Sequence, residues 1–201
     1  MRTLLFLLLL SLPPVGWAPV HAAAPARKGE KPYITSLRAR ALRGQAQAQF
    51  ELGVCYRFGQ GVPKDEAEAV AWYLKAANQG HAKAQYNLAV CYDAGTGVSK
   101  DYAEAAAWYR RAAYQGHAKA AYNLGVDYKY GQGVDRDDAE AWAWFDLAAR
   151  QGEGRAAGTR DELARAFAPE TFQRARERSM ALQVTVKPRP VLPAKKARKT
   201  P

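Results

Sequence analysis

The chain has 201 residues, 48% of them hydrophobic and 24% charged, with a formal net charge of +11 at neutral pH. This composition excludes a wholly disordered or collagen-like polypeptide and suits one globular or repeat domain. The charge is not spread evenly: residues 44–151 hold 11 Lys and Arg against 13 Asp and Glu, whereas residues 23–43 carry a net +5 and residues 152–201 a net +7.

In chain order, residues 1–22 read as a secretory signal. Arg2 supplies the positive start, "LLFLLLLSL" at 4–12 the apolar run, and "VHA" at 20–22 a small-residue cleavage pattern. Pro13 and Pro14 break the apolar run well short of the roughly 20 residues needed to cross a bilayer. The first cysteine is Cys55, so no lipid-bearing cysteine follows the run. The expectation is an exported protein, periplasmic or secreted, with no transmembrane segment after signal removal. Residues 23–43 then form a basic linker and an N-terminal capping helix.

From Gly44 to Gln151 the sequence repeats itself. Trp72, Trp108 and Trp144 stand 36 residues apart, and "GQGVPKD" at 59–65 recurs as "GTGVSKD" at 95–101 and "GQGVDRD" at 131–137. Three units follow, 44–79, 80–115 and 116–151, and each reads as two helices joined by a turn. In the second unit Ala84, Leu88, Cys91 and Tyr92 lie on one stripe of a first helix, helix A. Gly95 and Gly97 permit the turn. Asp101 with Glu104, repeated as Asp65 with Glu68 and Asp137 with Glu140, resembles a capping box that opens helix B. Ala105, Trp108, Tyr109, Ala112 and Ala113 form the buried face of helix B, and Gly80, Gly116 and Gly152 stand where left-handed C-caps are wanted. The neighbouring Arg110 and Arg111 do not recur as a pair and are expected to face solvent.

At these residues the chain resembles the Sel-one-like repeats (SLR), relatives of the tetratricopeptide repeats: A-x-x-x-LG-x-x-Y, G-x-GV-x-x-D, A-x-x-WY-x-x-AA and a following G-x-A recur in register. The resemblance implies an all-α fold, a right-handed superhelical solenoid of antiparallel helix pairs, here about three repeats plus capping helices. It further implies a scaffold for protein–protein contact with helix A lining the concave side, and no catalytic activity. Beyond the repeats, Ala157 to Phe167 and Pro169 to Leu182 are expected to form a C-terminal capping pair within 152–183, without the turn motif or the Trp. Residues 184–201 read as a disordered basic tail. Its partner would be an anionic envelope surface, lipid or polysaccharide, if it has one; the near-neutral repeats offer no basic face for nucleic acid.

Catalytic chemistry is not prominent. His81 and His117 hold equivalent positions at the start of helix A and read as helix-start residues, with Glu153 third in line. Equivalent points on adjacent packed helices lie about 8–10 Å apart, too far for a compact three-ligand metal site. Neither a catalytic set nor a cofactor site is suggested. Cys55 and Cys91, with Asp127 third, lie one unit apart on successive A helices. A bridge wants Cα atoms within about 4.4–6.8 Å, so two buried thiols are preferred to a disulfide.

The residues expected to carry function lie on the other face of helix A, at 47, 50, 51, 54, 57 and 58 and their equivalents. They form three sets: Phe50, Tyr86 and Tyr122; Glu51, Asn87 and Asn123; Arg57, Asp93 and Lys129. Rigid rings beside amides suit a groove for an extended peptide. The plainer reading is that the rings pack between neighbouring A helices. The function this supports is a non-catalytic adaptor binding a protein segment on its concave face. The alternatives are an envelope-associated hydrolase and an anionic-surface binder acting through the tail.

Overall fold

A computed structural model describes residues 31–186 of the chain. Among the described residues there are nine helices and no strand: α1 (Pro32–Leu42), α2 (Ala46–Phe58), α3 (Glu66–Asn78), α4 (Ala82–Ala94), α5 (Tyr102–Tyr114), α6 (Ala118–Tyr130), α7 (Asp138–Arg150), α8 (Ala156–Ala164) and α9 (Pro169–Thr185). The signal, the first part of the basic linker and residues 187–201 of the tail lie outside the described residues. Helices α2, α4 and α6 are the A helices; α3, α5 and α7 are the B helices. Each A helix packs on its own B helix, α3 packs on α4, and α5 packs on α6, giving a solenoid of helix pairs.

Two local devices set the pairing. At the start of each B helix an Asp in extended conformation caps the first turn, Asp65 accepting from the Glu68 N–H at 2.9 Å, Asp101 from Glu104 at 3.0 Å and Asp137 from Glu140 at 3.1 Å. The expected reciprocal half of the capping box is not made. The Asp backbone N–H groups donate instead to the carbonyls of Tyr56, Tyr92 and Tyr128 at 2.9, 3.0 and 3.0 Å, tying each B helix to the last turn of its A helix. In the first unit the Glu68 carboxylate takes the indole N–H of Trp72 at 3.0 Å.

The second device is the turn. Gly97 and Gly133 have φ of +71° and +67°, and a Cβ there would run into the carbonyl of Glu66 or of Tyr102, at the start of the preceding unit's B helix. The turns of the second and third units therefore rest directly on the backbone of the unit before, whereas Gly61 in the first meets the Tyr33 side chain of α1. Gly80, at the end of α3, also has a positive φ of +81°, but a Cβ there would meet open space.

Leu52, Leu88, Leu124 and Trp144 are fully buried, and Trp72 and Trp108 are nearly so. A buried polar link runs through the stack. Gln49 donates to the Ala41 carbonyl at 3.1 Å and accepts from Gln79 at 2.6 Å; Gln85 repeats this with Ala77 at 3.0 Å and Gln115 at 2.7 Å. Cys55 and Cys91 are buried free thiols, and burial pushes both above the ordinary thiol range. Arg111 lies exposed over the Trp108 ring at 4.2 Å, but Arg110 is half-buried, because its Nη2 reaches across to the next A helix and donates to the Tyr128 hydroxyl at 2.8 Å.

The C-terminal cap differs from expectation at both ends. Helix α8 stops at Ala164, three residues short of Phe167, and that ring folds back towards Trp142 and Ala139 of α7. Helix α9 runs on through Val184 and Thr185 into the region expected as tail, because Leu182 and Val186 are buried against the core. Both helices pack on α7. The anchor is Asp146, 2% exposed, where the other units have Leu74 and Arg110. It accepts from Arg150 Nε at 2.8 Å, Arg160 Nη1 at 2.8 Å and Ser179 Oγ at 2.7 Å, joining all three helices. Burial alone would raise its pKa, but these donors hold it below the usual carboxylate range.

The turn contact predicts unequal effects of one substitution at two glycines. Gly80→Ala should cost about 1–2 kcal/mol, the left-handed backbone penalty alone. Gly97→Ala should cost clearly more, since the turn must lift off Glu66. Thermal midpoints measured side by side check this, and equal losses would mean that the turn does not bear on the preceding unit.

Candidate protein-docking face

The face opposite the core of α2, α4 and α6 is built around the histidines that open α4 and α6. His81 Nδ1 accepts from the Ala84 N–H at 3.1 Å and His117 Nδ1 from the Ala120 N–H at 3.3 Å, so each imidazole is an N-cap. His81 Nε2 also pairs with Gln47 Oε1 of the preceding A helix at 2.9 Å, and Gln47 in turn donates to Glu51 at 2.7 Å. Burial, and then the Lys83 ammonium, lower the His81 pKa, keeping the ring in the neutral form that can cap.

Each ring of the aromatic set is held between two partners. Phe50 stacks on His81, centroids 4.8 Å apart, and tilts against Tyr73 at 6.1 Å. Tyr86 repeats this with His117 at 4.5 Å and Tyr109 at 5.9 Å. Tyr122 packs on Phe145 at 5.3 Å, and the guanidinium of Arg155 takes the place of the imidazole at 4.4 Å. The rings thus join neighbouring units as the plainer reading has it, yet all three remain partly exposed.

The other two sets flank them. Arg57 and Asn87 converge on the hydroxyl of Tyr73, which makes no hydrogen bond of good geometry; burial pushes that phenol up to about 12 against the pull of both groups. Asn123 stands likewise beside the hydroxyl of Tyr109, whose pKa burial raises further. Glu51, Asp93 and Lys129 are half-buried. Lys129 Nζ lies 5.2 Å from the Tyr130 ring centroid. Arg57, Asp93 and Lys129 form no ion pair among the described residues, so the face carries alternating positive, negative and positive charge from unit to unit.

Behind this face, in the core stripe of α6, sits a group to which sequence reasoning gave no role. Asp127 occupies the core position of Cys55 and Cys91, is 4% exposed, and its Oδ2 has no hydrogen-bond partner. Burial first, and then the charge of Asp93, raise its pKa to about 7, while Arg110 opposes them. The available signal was the break in the Cys, Cys, Asp series.

Comparison with protein-family models finds the Sel1 repeat three times, at residues 46–81, 82–117 and 118–153, each match starting at the first residue of an A helix. No curated protein matches the chain. Among solved structures it is similar to a protective antigen of uropathogenic Escherichia coli strains displaying an SLR fold, with 37% identity and a TM-score of 0.70 over 76% of this chain. The chain spans only 32% of that protein's length. It is 38% identical to a Sel1 repeat protein from Oxalobacter formigenes, with a TM-score of 0.61, covering 65% of this chain and 98% of that one. Cysteine rich protein B of Helicobacter pylori shares the fold at 23% identity and a TM-score of 0.50, covering 63% of this chain and 96% of that one.

Asp127 binds its proton more tightly in the folded chain than in the unfolded one, where a carboxyl titrates near 3.9. The stability it contributes is therefore present in acid and is lost as pH rises towards about 7. Asp127→Asn should raise the thermal midpoint at pH 8, relieving roughly 1–4 kcal/mol, and change it much less at pH 4. A gain that does not depend on pH would show that Asp127 is not titrating in its buried site.

Proposed function

The chain belongs to the Sel1 repeat family, whose members are generally protein-interaction scaffolds, and from that premise we propose that it is a non-catalytic adaptor which binds an extended protein segment along the concave face of α2, α4 and α6. The observation that carries this reading is the partly exposed ladder of Phe50, Tyr86 and Tyr122 beside three charged side chains, Arg57, Asp93 and Lys129, that form no ion pair among the described residues. The rings are locked by His81, His117 and Arg155, so a ligand meets a preformed apolar surface and little side-chain entropy is lost on docking. Asn87 and Asn123 each offer a donor and an acceptor for an extended backbone. Alternating charge along the three units would fix the register of the segment by complementarity.

The adaptor acts after export, in the periplasm or the secreted space. This part of the proposal rests on the "LLFLLLLSL" and "VHA" patterns, together with the finding that among the described residues no helix is long and apolar enough to cross a membrane. The basic segment from residue 187 onward adds at most a weak contact with an anionic envelope surface, since surface attraction of this kind is screened at physiological salt.

Two measurements test the proposal. A photo-crosslinker at position 87 or 123 should capture one and the same protein from the exported fraction, and a crosslinker at the exposed Arg111 of α5 should not. Tyr86→Ala with Tyr122→Ala should abolish capture from position 87, whereas removal of residues 187–201 should leave it intact; crosslinks unchanged by the ring substitutions would sink the docking face. Intact mass of the exported protein should place its first residue at Ala23, and retention of residues 1–22 would overturn the signal reading.

A further inference from the structure

The third unit departs from its siblings on one flank of its B helix. Trp142 stands where the other units carry Val70 and Ala106, and Asp146 stands where they carry Leu74 and Arg110. Neither change serves the 36-residue repeat. Together with α8 and the start of α9 they line a shallow, largely open crevice of about 670 Å³. Its walls are the rings of Trp142, Phe167 and Phe172, with Trp142 and Phe172 edge to face at 5.5 Å. Its rim carries Arg150, Arg160 and Arg165.

The hydrogen bonds of the rim are unevenly used. Asp146, itself almost fully buried, fixes Arg150 through Nε and Arg160 through Nη1, and Arg160 is further held by Asp161 at 2.7 Å. The Nη groups of Arg150 and the whole guanidinium of Arg165 have no partner among the described residues. The indole N–H of Trp142 is buried with no acceptor, although its residue is only 8% exposed. The indole N–H is thus a buried donor without an acceptor, which is costly, whereas the free donors of Arg150 and Arg165 are exposed and solvated; a ligand anionic at one end and apolar at the other would pair with these guanidinium groups while covering the rings.

We propose that this crevice binds the C-terminal residues of a polypeptide, the last side chain apolar or aromatic against Trp142, Phe167 and Phe172, and the free α-carboxylate on Arg165 and Arg150. The volume exceeds one side chain and admits two or three residues, and the crevice is broadly open to solvent, so that a chain can leave it. Residues 187–201, with six Lys and Arg and no Asp or Glu, are repelled by the basic rim and are the wrong occupant. The crevice shares no residue with the face of α2, α4 and α6, so it can be tested apart from the adaptor proposal.

The test follows the Trp142 indole N–H resonance in the nitrogen-15-labelled purified protein, assigned by its loss in Trp142→Phe. The probes are acetyl-Gly-Gly-Ala-Phe with a free carboxylate, the same peptide as its C-terminal amide, and N-acetylphenylalanine. The free-carboxylate peptide should move the resonance saturably. The amide should bind at least tenfold more weakly, and Arg165→Ala should weaken the carboxylate peptide by about tenfold, the scale of one charge-assisted hydrogen bond. Arg165 is exposed, so the variant should keep its thermal midpoint, which is measured alongside. No shift, or equal affinity for acid and amide, would overturn the site; N-acetylphenylalanine binding as tightly as the peptide would overturn the polypeptide as its ligand.

Discussion

The second and third units of this protein each lean on the one before through a backbone contact that leaves no room for a side chain. The turn glycine of one helix pair lies against the first carbonyl of the preceding B helix, Gly97 on Glu66 and Gly133 on Tyr102. A single hairpin of two thirteen-residue helices cannot cover its apolar faces, so the stack exists only if neighbours approach closely at many points. This contact fixes how far one pair is displaced from the next. The Asp caps and the bonds from their N–H groups to Tyr56, Tyr92 and Tyr128 then fix the angle within each pair.

The proposed docking face is a consequence of that spacing. With successive A helices held in register, the rings of Phe50 and Tyr86 reach the histidines that open α4 and α6, and Tyr122 reaches Arg155, which opens α8. One imidazole then serves two purposes: Nδ1 caps its own helix and the ring face supports the aromatic of the unit before. The ladder is therefore both mortar and surface. Its rings are rigid because they pack, and available because only part of each is covered. The charged residues beside it vary from unit to unit, as expected of positions that the stack does not constrain.

The ends of a solenoid need residues that the repeat does not supply. At the C-terminus the exchange of an apolar or basic residue for Asp146 turns the outer flank of α7 into an anchor for α8 and α9. A buried carboxylate is tolerable there because Arg150, Arg160 and Ser179 satisfy it. Asp127 is the contrasting case, a buried carboxylate with one oxygen left without a partner and a pKa raised accordingly. The same residue type is an anchor in one setting and a pH-sensitive weakness in the other, and the difference lies wholly in the donors within reach.

The period of 36 residues, the Trp and Ala stripes and the Gly and Asp positions determined the all-α repeat fold, because periodicity and turn chemistry are local and act before any contact is made. They also placed the nine face residues on one side of helix A, since 100° per residue is enough to separate the core stripe from its opposite. What only the tertiary structure decided depends on groups far apart in the chain. The Asp N–H groups chose the A-helix carbonyls over the glutamates because those carbonyls are presented across the pair. Arg110 turned inward because the Tyr128 hydroxyl lies on the next helix, 18 residues away. Helix α9 outran its expected end because Leu182 and Val186 found a core to bury in. The crevice beneath Trp142 arises where three helices meet, a junction that no window of consecutive residues contains.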